Sequence, residues 1–263
     1  MKRLLICLAV FFTFNATAAL ALDTEITIAG DPCSVPLAEE LGAAFALKNQ
    51  EVKITVKSHP CMQGVYLSAE GAFNMGTSTQ NGLSENLPQG AYNTVIAKSP
   101  IVLVVNKKNP VNNITSEQLK DIFQGKIKNW KELGGNDIEI KSVMLEPCVK
   151  YTMGKRVVPY GEVSELRPEG KVNPVLYTNK LVSENEGALG QQIYGYEDGV
   201  KTLTIDNNLP DMNPEKYRFY QDYNIVTKGT PEGIVKEYIE FALTPEGRKV
   251  ISALKHVPHS PDK

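Results

Sequence analysis

The sequence predicts an α/β fold, because strand-like and helix-like patterns alternate along the chain. Residues 24–29 (TEITIA) and 52–57 (VKITVK) alternate between apolar and polar side chains, as half-buried strands do. A stretch with helical character follows each of them, at 34–48 and at 62–72. Chains that repeat strand and helix in this way usually pack helices against a mainly parallel sheet.

The later part of the chain continues the alternation. Thr115 and Gln118 can form a capping box, which gives the helix over 115–124 the clearest start signal. A threonine directly before a proline also favours a helix start, because the threonine caps the helix and the proline needs no N–H there. The remaining predictions are strands over 100–106, 138–144, 173–177 and 200–205, and helices that begin at Thr230-Pro231 and at Thr244-Pro245.

The first 21 residues have the pattern of an export signal. Lys2 and Arg3 precede an apolar stretch over 4–14, and residues 19–21 (ALA) form a small-x-small cleavage site. The apolar stretch is too short to stay in a bilayer as a spanning helix. We therefore expect a periplasmic protein with no membrane insertion once the signal is removed.

Composition excludes several classes of function. The net charge is −2, and losing Lys2 and Arg3 makes it −4. No basic patch suggests a nucleic-acid partner. About 240 mature residues are enough for one core or for two lobes. No nucleophile stands beside an oriented base, so we expect neither an enzyme nor a cofactor.

Three cysteines follow the export signal, and each of them comes directly after a proline. Cys33, Cys61 and Cys148 all lie at the predicted carboxyl end of a strand. An exported protein normally pairs its cysteines as disulfides, and an odd number leaves one over. Ligands of α/β folds bind at the carboxyl ends of strands. The pattern therefore predicts that the three thiols converge as soft ligands of one site.

One long segment resembles a known family. Residues 101–135 read IVLVVNKKNPVNNITSEQLKDIFQGKIKNWKELGG, which is similar to the periplasmic phosphate-binding proteins of ABC uptake systems. The segments GDPCSVPLAEELGAAF and NIVTKGTPEGIVKEYIEFALTPEGRKVI extend the resemblance over nearly the whole mature chain. It implies a type II periplasmic-binding fold, in which hinge strands join two α/β lobes around a ligand cleft. We assign residues 22–103 with 224–263 to lobe 1 and residues 104–223 to lobe 2.

The ligand loops depart from the family pattern. The family's first loop supplies hydroxyls and N–H groups, whereas here it reads Asp31-Pro32-Cys33-Ser34. The family's proton-accepting aspartate is matched by Asn74, and an arginine that usually follows is missing. The resemblance assigns to ligand binding the cysteines Cys33, Cys61 and Cys148 together with Ser34, Gln63, Asn74 and Thr152.

A site of three thiols without arginine favours a neutral, thiophilic ligand. Arsenite is neutral at physiological pH and can exchange its hydroxyls for thiolates. Our leading hypothesis is therefore a receptor for arsenite or another thiophilic oxyanion, akin to periplasmic arsenite-sensing proteins. Its partner would be an ABC permease or the periplasmic domain of a sensor histidine kinase.

Two other ligands stay open at this point. Soft metal ions would use the same ligands, Cys33, Cys61 and Cys148, with His59 or Met62 as a fourth. Alternatively the chain is a phosphate or arsenate receptor with incidental cysteines, two of which, Cys33 and Cys61, form a disulfide.

Overall fold

The computed structural model describes residues 24–60, 62–143, 164–166, 174–209 and 217–259. Within these ranges an 11-stranded sheet carries helices on its faces. The strands are β1 (Thr24–Gly30), β2 (Val52–Ser58), β3 (Met75–Thr79), β4 (Ala91–Val105), β5 (Asn113–Ile114), β6 (Lys141–Val143), β7 (Ser164–Leu166), β8 (Ala188–Ile193), β9 (Lys201–Ile205), β10 (Tyr220–Lys228) and β11 (Val257–Pro258). The helices are α1 (Val35–Ala46), α2 (Gln63–Glu70), α3 (Ser116–Phe123), α4 (Pro174–Glu184), α5 (Gly233–Leu243) and α6 (Pro245–Ala253), with short 3-10 turns at Leu83–Asn86 and Trp130–Leu133.

The first lobe is built on the strand order β2-β1-β3-β10-β4. β1 pairs in parallel with β2 and with β3, so the carboxyl ends of these strands share one edge of the sheet. β10 is antiparallel to both β3 and β4. α1, α5 and α6 bury their apolar faces on this sheet. The core includes Ile28, Leu41, Phe45, Ile96 and Tyr238.

The second lobe is built on the strand order β4-β8-β6-β7. β8 is antiparallel to β4 and parallel to β6, which in turn pairs in parallel with β7. α3 packs its inner face into a second core, where Trp130 is buried and donates its Nε1–H to the carbonyl of Gly187 at 3.0 Å. That core includes Leu103, Leu119, Phe123, Trp130 and Leu203.

β4 belongs to both lobes. Its residues 91–100 pair with β10, whereas residues 101–105 pair with β8. This 15-residue strand therefore joins the two sheets as one continuous connection. The assignment of residues 22–103 with 224–263 to lobe 1 and 104–223 to lobe 2 stays a prediction.

Most elements predicted from local patterns lie where the sequence indicates. The capping box of α3 is present, since the Thr115 hydroxyl accepts from the Gln118 N–H and the Gln118 side chain accepts from the Thr115 N–H. Thr244 caps α6, because its hydroxyl accepts from the Gly247 N–H at 3.2 Å. α5, however, begins at Gly233 and not at Thr230-Pro231, because Glu232 keeps an extended backbone.

The prediction of a strand over 173–177 is wrong, because residues 174–177 begin helix α4. Thr178 and Val182 are buried four residues apart, which is the spacing of one helix face. Both side chains approach Gly190 of β8, where an added Cβ would lie 2.8 Å from each. Packing against β8 outweighs the short β-like pattern that suggested a strand.

The helices found in the described stretches all fall short of the length and apolar character that a membrane crossing requires.

Candidate functional site

The carboxyl ends of β1, β2 and β3 lie together at one edge of the first lobe, where the sequence predicts the ligand site. Gly30, the last residue of β1, pairs with Ser58 of β2 and with Thr77 of β3. The loop after β2 is tied to the same point, since the His59 N–H donates to the Gly30 carbonyl at 2.8 Å. We use the term ligand edge for residues 31–34 and 77–79, which follow β1 and close β3.

Asp31 is the buried acid of the ligand edge, with 7% of its surface exposed. Its Oδ1 accepts from the N–H groups of Cys33 and Ser34, both at 2.9 Å. Its Oδ2 accepts from the Thr79 N–H, also at 2.9 Å, and the Ser78 hydroxyl donates to the same carboxylate. One side chain thus links the loop after β1 to the end of β3.

Burial raises the pKa of Asp31 above its ordinary value, because the carboxylate has lost its water. Hydrogen bonds from Thr79, Ser78, Ser34 and Cys33 oppose that rise. A carboxylate offers about four acceptor positions, and the four donors fill them. The Asp31 carboxylate therefore has no acceptor position left for a further donor.

Ser34 lies at the centre of the same network and is completely buried. Its hydroxyl lies 2.8 Å from Thr77 Oγ1, 3.1 Å from the Thr77 carbonyl and 3.0 Å from the Asp31 carbonyl. Gly30 permits this approach, because an added Cβ there would lie 2.6 Å from Thr77 Oγ1. The Ser34 hydroxyl is thus engaged within the protein and does not point freely at a ligand.

Tyr223 contacts the ligand edge directly, and His256 packs against Tyr223. The Tyr223 hydroxyl donates to the Ser34 carbonyl at 2.6 Å, and its ring meets the His256 ring edge-on. His256 Nδ1 lies 2.8 Å from the hydroxyl of Ser99 in β4. Burial lowers the pKa of His256 to about 4, so the ring is neutral at physiological pH. Sequence reasoning missed both residues, since their partners are far away along the chain.

Cys33 occupies the position that the sequence predicts, three residues beyond β1. Its side chain is partly buried and packs against the apolar cluster of the second lobe. That cluster also receives Tyr196 and Phe219, which flank strands β8 and β10. The Cys33 side chain therefore contacts the core of the other lobe.

The other predicted ligand residues lie in different places. Gln63 is exposed at the start of α2, where its N–H donates to the Pro60 carbonyl at 2.9 Å. Asn74 precedes β3, three residues before Thr77 and so about 10 Å away along the strand. Its side chain accepts from the N–H and the hydroxyl of Thr27, both at 2.8 Å. The structure brings Cys33 and Ser34 together, but it places Asn74 away from them.

Asn74 instead lines a separate cavity of about 510 Å³ at the opposite end of β3. Lys228, the last residue of β10, and Gly229 directly after it line the same cavity.

The structure describes only one of the three cysteines of the predicted thiol cluster. Cys61, Cys148 and Thr152 lie outside the described residues. Among the residues that the structure does describe, no three histidine, cysteine, aspartate or glutamate side chains are grouped as a metal site. The convergence of Cys33, Cys61 and Cys148, on a metal or on a metalloid, stays a prediction.

The fold and the ligand edge together define a class of protein. Two α/β lobes share strand β4, and the loop after β1 places Cys33 against the core of the second lobe. This is the two-lobed architecture of the type II periplasmic-binding fold.

Comparison with known proteins places the chain in a family. Residues 15–146 match the PBP superfamily domain, and the chain belongs to that superfamily. The phosphate-binding protein PstS of Bacillus subtilis is 28% identical over 239 residues, which cover 86% of this chain and 78% of the relative. PstS of Borreliella burgdorferi is 24% identical, with 95% of this chain and 96% of the relative covered.

A solved structure agrees with these relatives. A Clostridium perfringens protein, a candidate phosphate ABC transporter substrate-binding protein with bound phosphate, is 25% identical with a TM-score of 0.76. The match covers 90% of this chain and all of the other. The predicted type II periplasmic-binding fold and the resemblance to phosphate-binding proteins are therefore confirmed.

Proposed function

We propose that the protein is a periplasmic solute-binding receptor whose cleft takes a small thiophilic ligand, with arsenite first. The observation that carries the proposal is the position of Cys33. Its side chain lies at the ligand edge of one lobe and packs against the core of the other. A ligand bonded to this sulfur would contact both lobes at once.

The neighbouring loop supports a second thiol at the same place. The bond from the His59 N–H to the Gly30 carbonyl holds the loop after β2 beside the loop after β1. Cys61 comes two residues after His59 in the sequence. We expect Cys61 to face Cys33, with Cys148 of the second lobe completing the set. Arsenite would then lose one water molecule for each thiol that it binds.

Phosphate is the second candidate, and the relatives favour it. The Bacillus subtilis and Borreliella burgdorferi relatives are named phosphate-binding proteins, and the Clostridium perfringens structure holds phosphate. The same names favour an ABC permease as the partner, with a sensor histidine kinase as the alternative. The export pattern in residues 1–21 supports a periplasmic location.

Native mass spectrometry of the reduced mature protein tests the proposal, with arsenite, phosphate and Zn²⁺ offered in competition under anaerobic conditions. We expect an arsenic adduct that has lost one water for each of the three thiols. Replacing any one cysteine by serine (C33S, C61S or C148S) should weaken arsenite binding by about tenfold or more, because one As–S bond is lost. M62L is the matched control, since it removes a sulfur beside Cys61 without removing a thiol.

Other outcomes would contradict the proposal. A phosphate adduct alone would identify an oxyanion receptor. In the protein as purified, before reduction, a mass lower by one hydrogen for each of two cysteines and restored by a reductant would identify a disulfide. A zinc adduct that excludes arsenite would identify a soft-metal protein.

A further inference from the structure

At the start of α1, where a helix usually offers N–H donors to an anion, several of these donors already have partners within the protein. The N–H groups of Cys33 and Ser34 donate to Asp31 Oδ1 at 2.9 Å. The Val35 N–H donates to the Asp31 carbonyl at 3.1 Å, and Pro36 has no N–H to offer. Asp31 thus engages the donors that precede and open the helix.

Asp31 also accepts hydrogen bonds from donors at the end of β3. The Thr79 N–H donates to Asp31 Oδ2 at 2.9 Å, and the Ser78 hydroxyl donates to the same carboxylate. Since Asp31 is buried and its acceptor positions are filled, the carboxylate takes the place that an external anion would occupy.

We propose that Asp31 is a specificity-determining residue that closes the ligand edge to oxyanions such as phosphate. The inference deepens the proposed function and rests on it only in placing the ligand at this edge. A phosphate dianion would find its donors taken and would face a like charge, which disfavours both ionised groups. A neutral ligand bonded through sulfur meets neither obstacle.

Asp31 also differs from an acid that helps to bind a protonated oxyanion. Such an acid needs a free acceptor position for the proton of the ligand. The acceptor positions of the Asp31 carboxylate are already filled by donors from Cys33, Ser34, Ser78 and Thr79. It therefore acts as an internal substitute for an anion and not as a ligand of one.

Calorimetric titration with inorganic phosphate tests the inference on the reduced mature chain, its D31S variant and its D31N variant. Serine removes the charge and frees the N–H groups of Cys33, Ser34 and Thr79. We expect D31S to bind phosphate at least about tenfold more tightly than the wild type, since a like charge is removed and donors are gained. D31N, which keeps the shape of the side chain, should gain less.

The control is D137N, which changes the net charge by the same amount at an exposed position of the second lobe. Its phosphate affinity should match that of the wild type. Phosphate binding by the wild type as tight as by D31S would overturn the inference, and so would equal gains in D31S and D137N. If D31S does not fold, the phosphate affinities of D31N and the wild type still test the inference. Submicromolar binding of phosphate by the wild type is enough to overturn it.

Arsenite titrations on the same samples separate this inference from the proposed function. A wild type that binds neither arsenite nor phosphate would contradict the arsenite proposal, while a gain of phosphate binding in D31S would still support the role of Asp31.

Discussion

Buried polar side chains organise the ligand edge at the scale of single residues. Asp31 joins the loop after β1 to β3, and the Tyr223 hydroxyl donates to the Ser34 carbonyl. His256 is buried next to Tyr223 and bonds to Ser99 of the strand that joins the lobes. A buried polar group is costly unless it is hydrogen-bonded, so these contacts hold the loop in one conformation.

His256 should make stability depend on pH. Because burial lowers its pKa from 6.5 to about 4, the unfolded chain binds a proton more readily than the folded chain between these values. Above about pH 6.5 the ring is neutral in both states, and the full free energy of unfolding is present. As the pH falls from 6.5 toward 4, the unfolded chain gains protons first and the folded protein loses stability. We expect the wild type to lose about 3 kcal/mol more unfolding free energy than H256Q between about pH 7 and pH 4.

Urea unfolding of both proteins at several pH values measures this difference, in which the contributions of Asp31 and the other acids largely cancel. S99A is the control, because it removes the partner of His256 but leaves the ring buried. It should lower stability and keep the pH dependence. Equal pH dependence in the wild type and H256Q would show that His256 does not titrate as a buried group.

Helix α2 shows how closely a helix packs on the sheet of the first lobe. It is eight residues long and lies against β1 and β3. Gly64 permits this approach, since a Cβ at this position would lie 2.4 Å from the carbonyl oxygen of Ala29. The Ser68 hydroxyl donates to the Gly64 carbonyl at 2.8 Å, which places a polar side chain inside the interface.

Helix propensity alone predicts that G64A stabilises the protein, but we expect it to lower the free energy of unfolding. Alanine in place of glycine normally stabilises a helix by about 1 kcal/mol, but here the added methyl group meets backbone. We expect G64A to destabilise the protein by about 1–3 kcal/mol in thermal or urea unfolding. E70A, at the exposed end of the same helix, should cause no such loss. A stabilised G64A would mean that α2 does not pack against β1 this closely.

Strand β4 determines how the two lobes are coupled in the whole molecule. Because it pairs with β10 in one sheet and β8 in the other, it connects the lobes as one continuous strand. A ligand that contacts both lobes would shift the population toward the closed form, by no more than its differential affinity for that form.

Small-angle scattering should detect this closure. For about 240 residues we expect a radius of gyration of about 18 Å, which should fall on saturation with arsenite. C33S at the same arsenite concentration should show no compaction, because the sulfur that lies against the second lobe is missing. An unchanged scattering curve for the wild type with bound arsenite would contradict closure on the ligand.

Features that depend on residues close together along the chain can be predicted from the sequence alone. These include the alternation of strands and helices, the caps at Thr115 and Thr244, and the position of Cys33 just beyond a strand. The family resemblance likewise came from contiguous motifs.

The network of the ligand edge and the helical state of α4 depend instead on tertiary contacts. Asp31 bonds to Thr79 across 48 positions, Tyr223 to Ser34 across 189, and His256 to Ser99 across 157. α4 is helical because Thr178 and Val182 pack against β8. Such contacts join residues that are distant along the chain, so no local pattern encodes them, and they exist only once the sheets have formed.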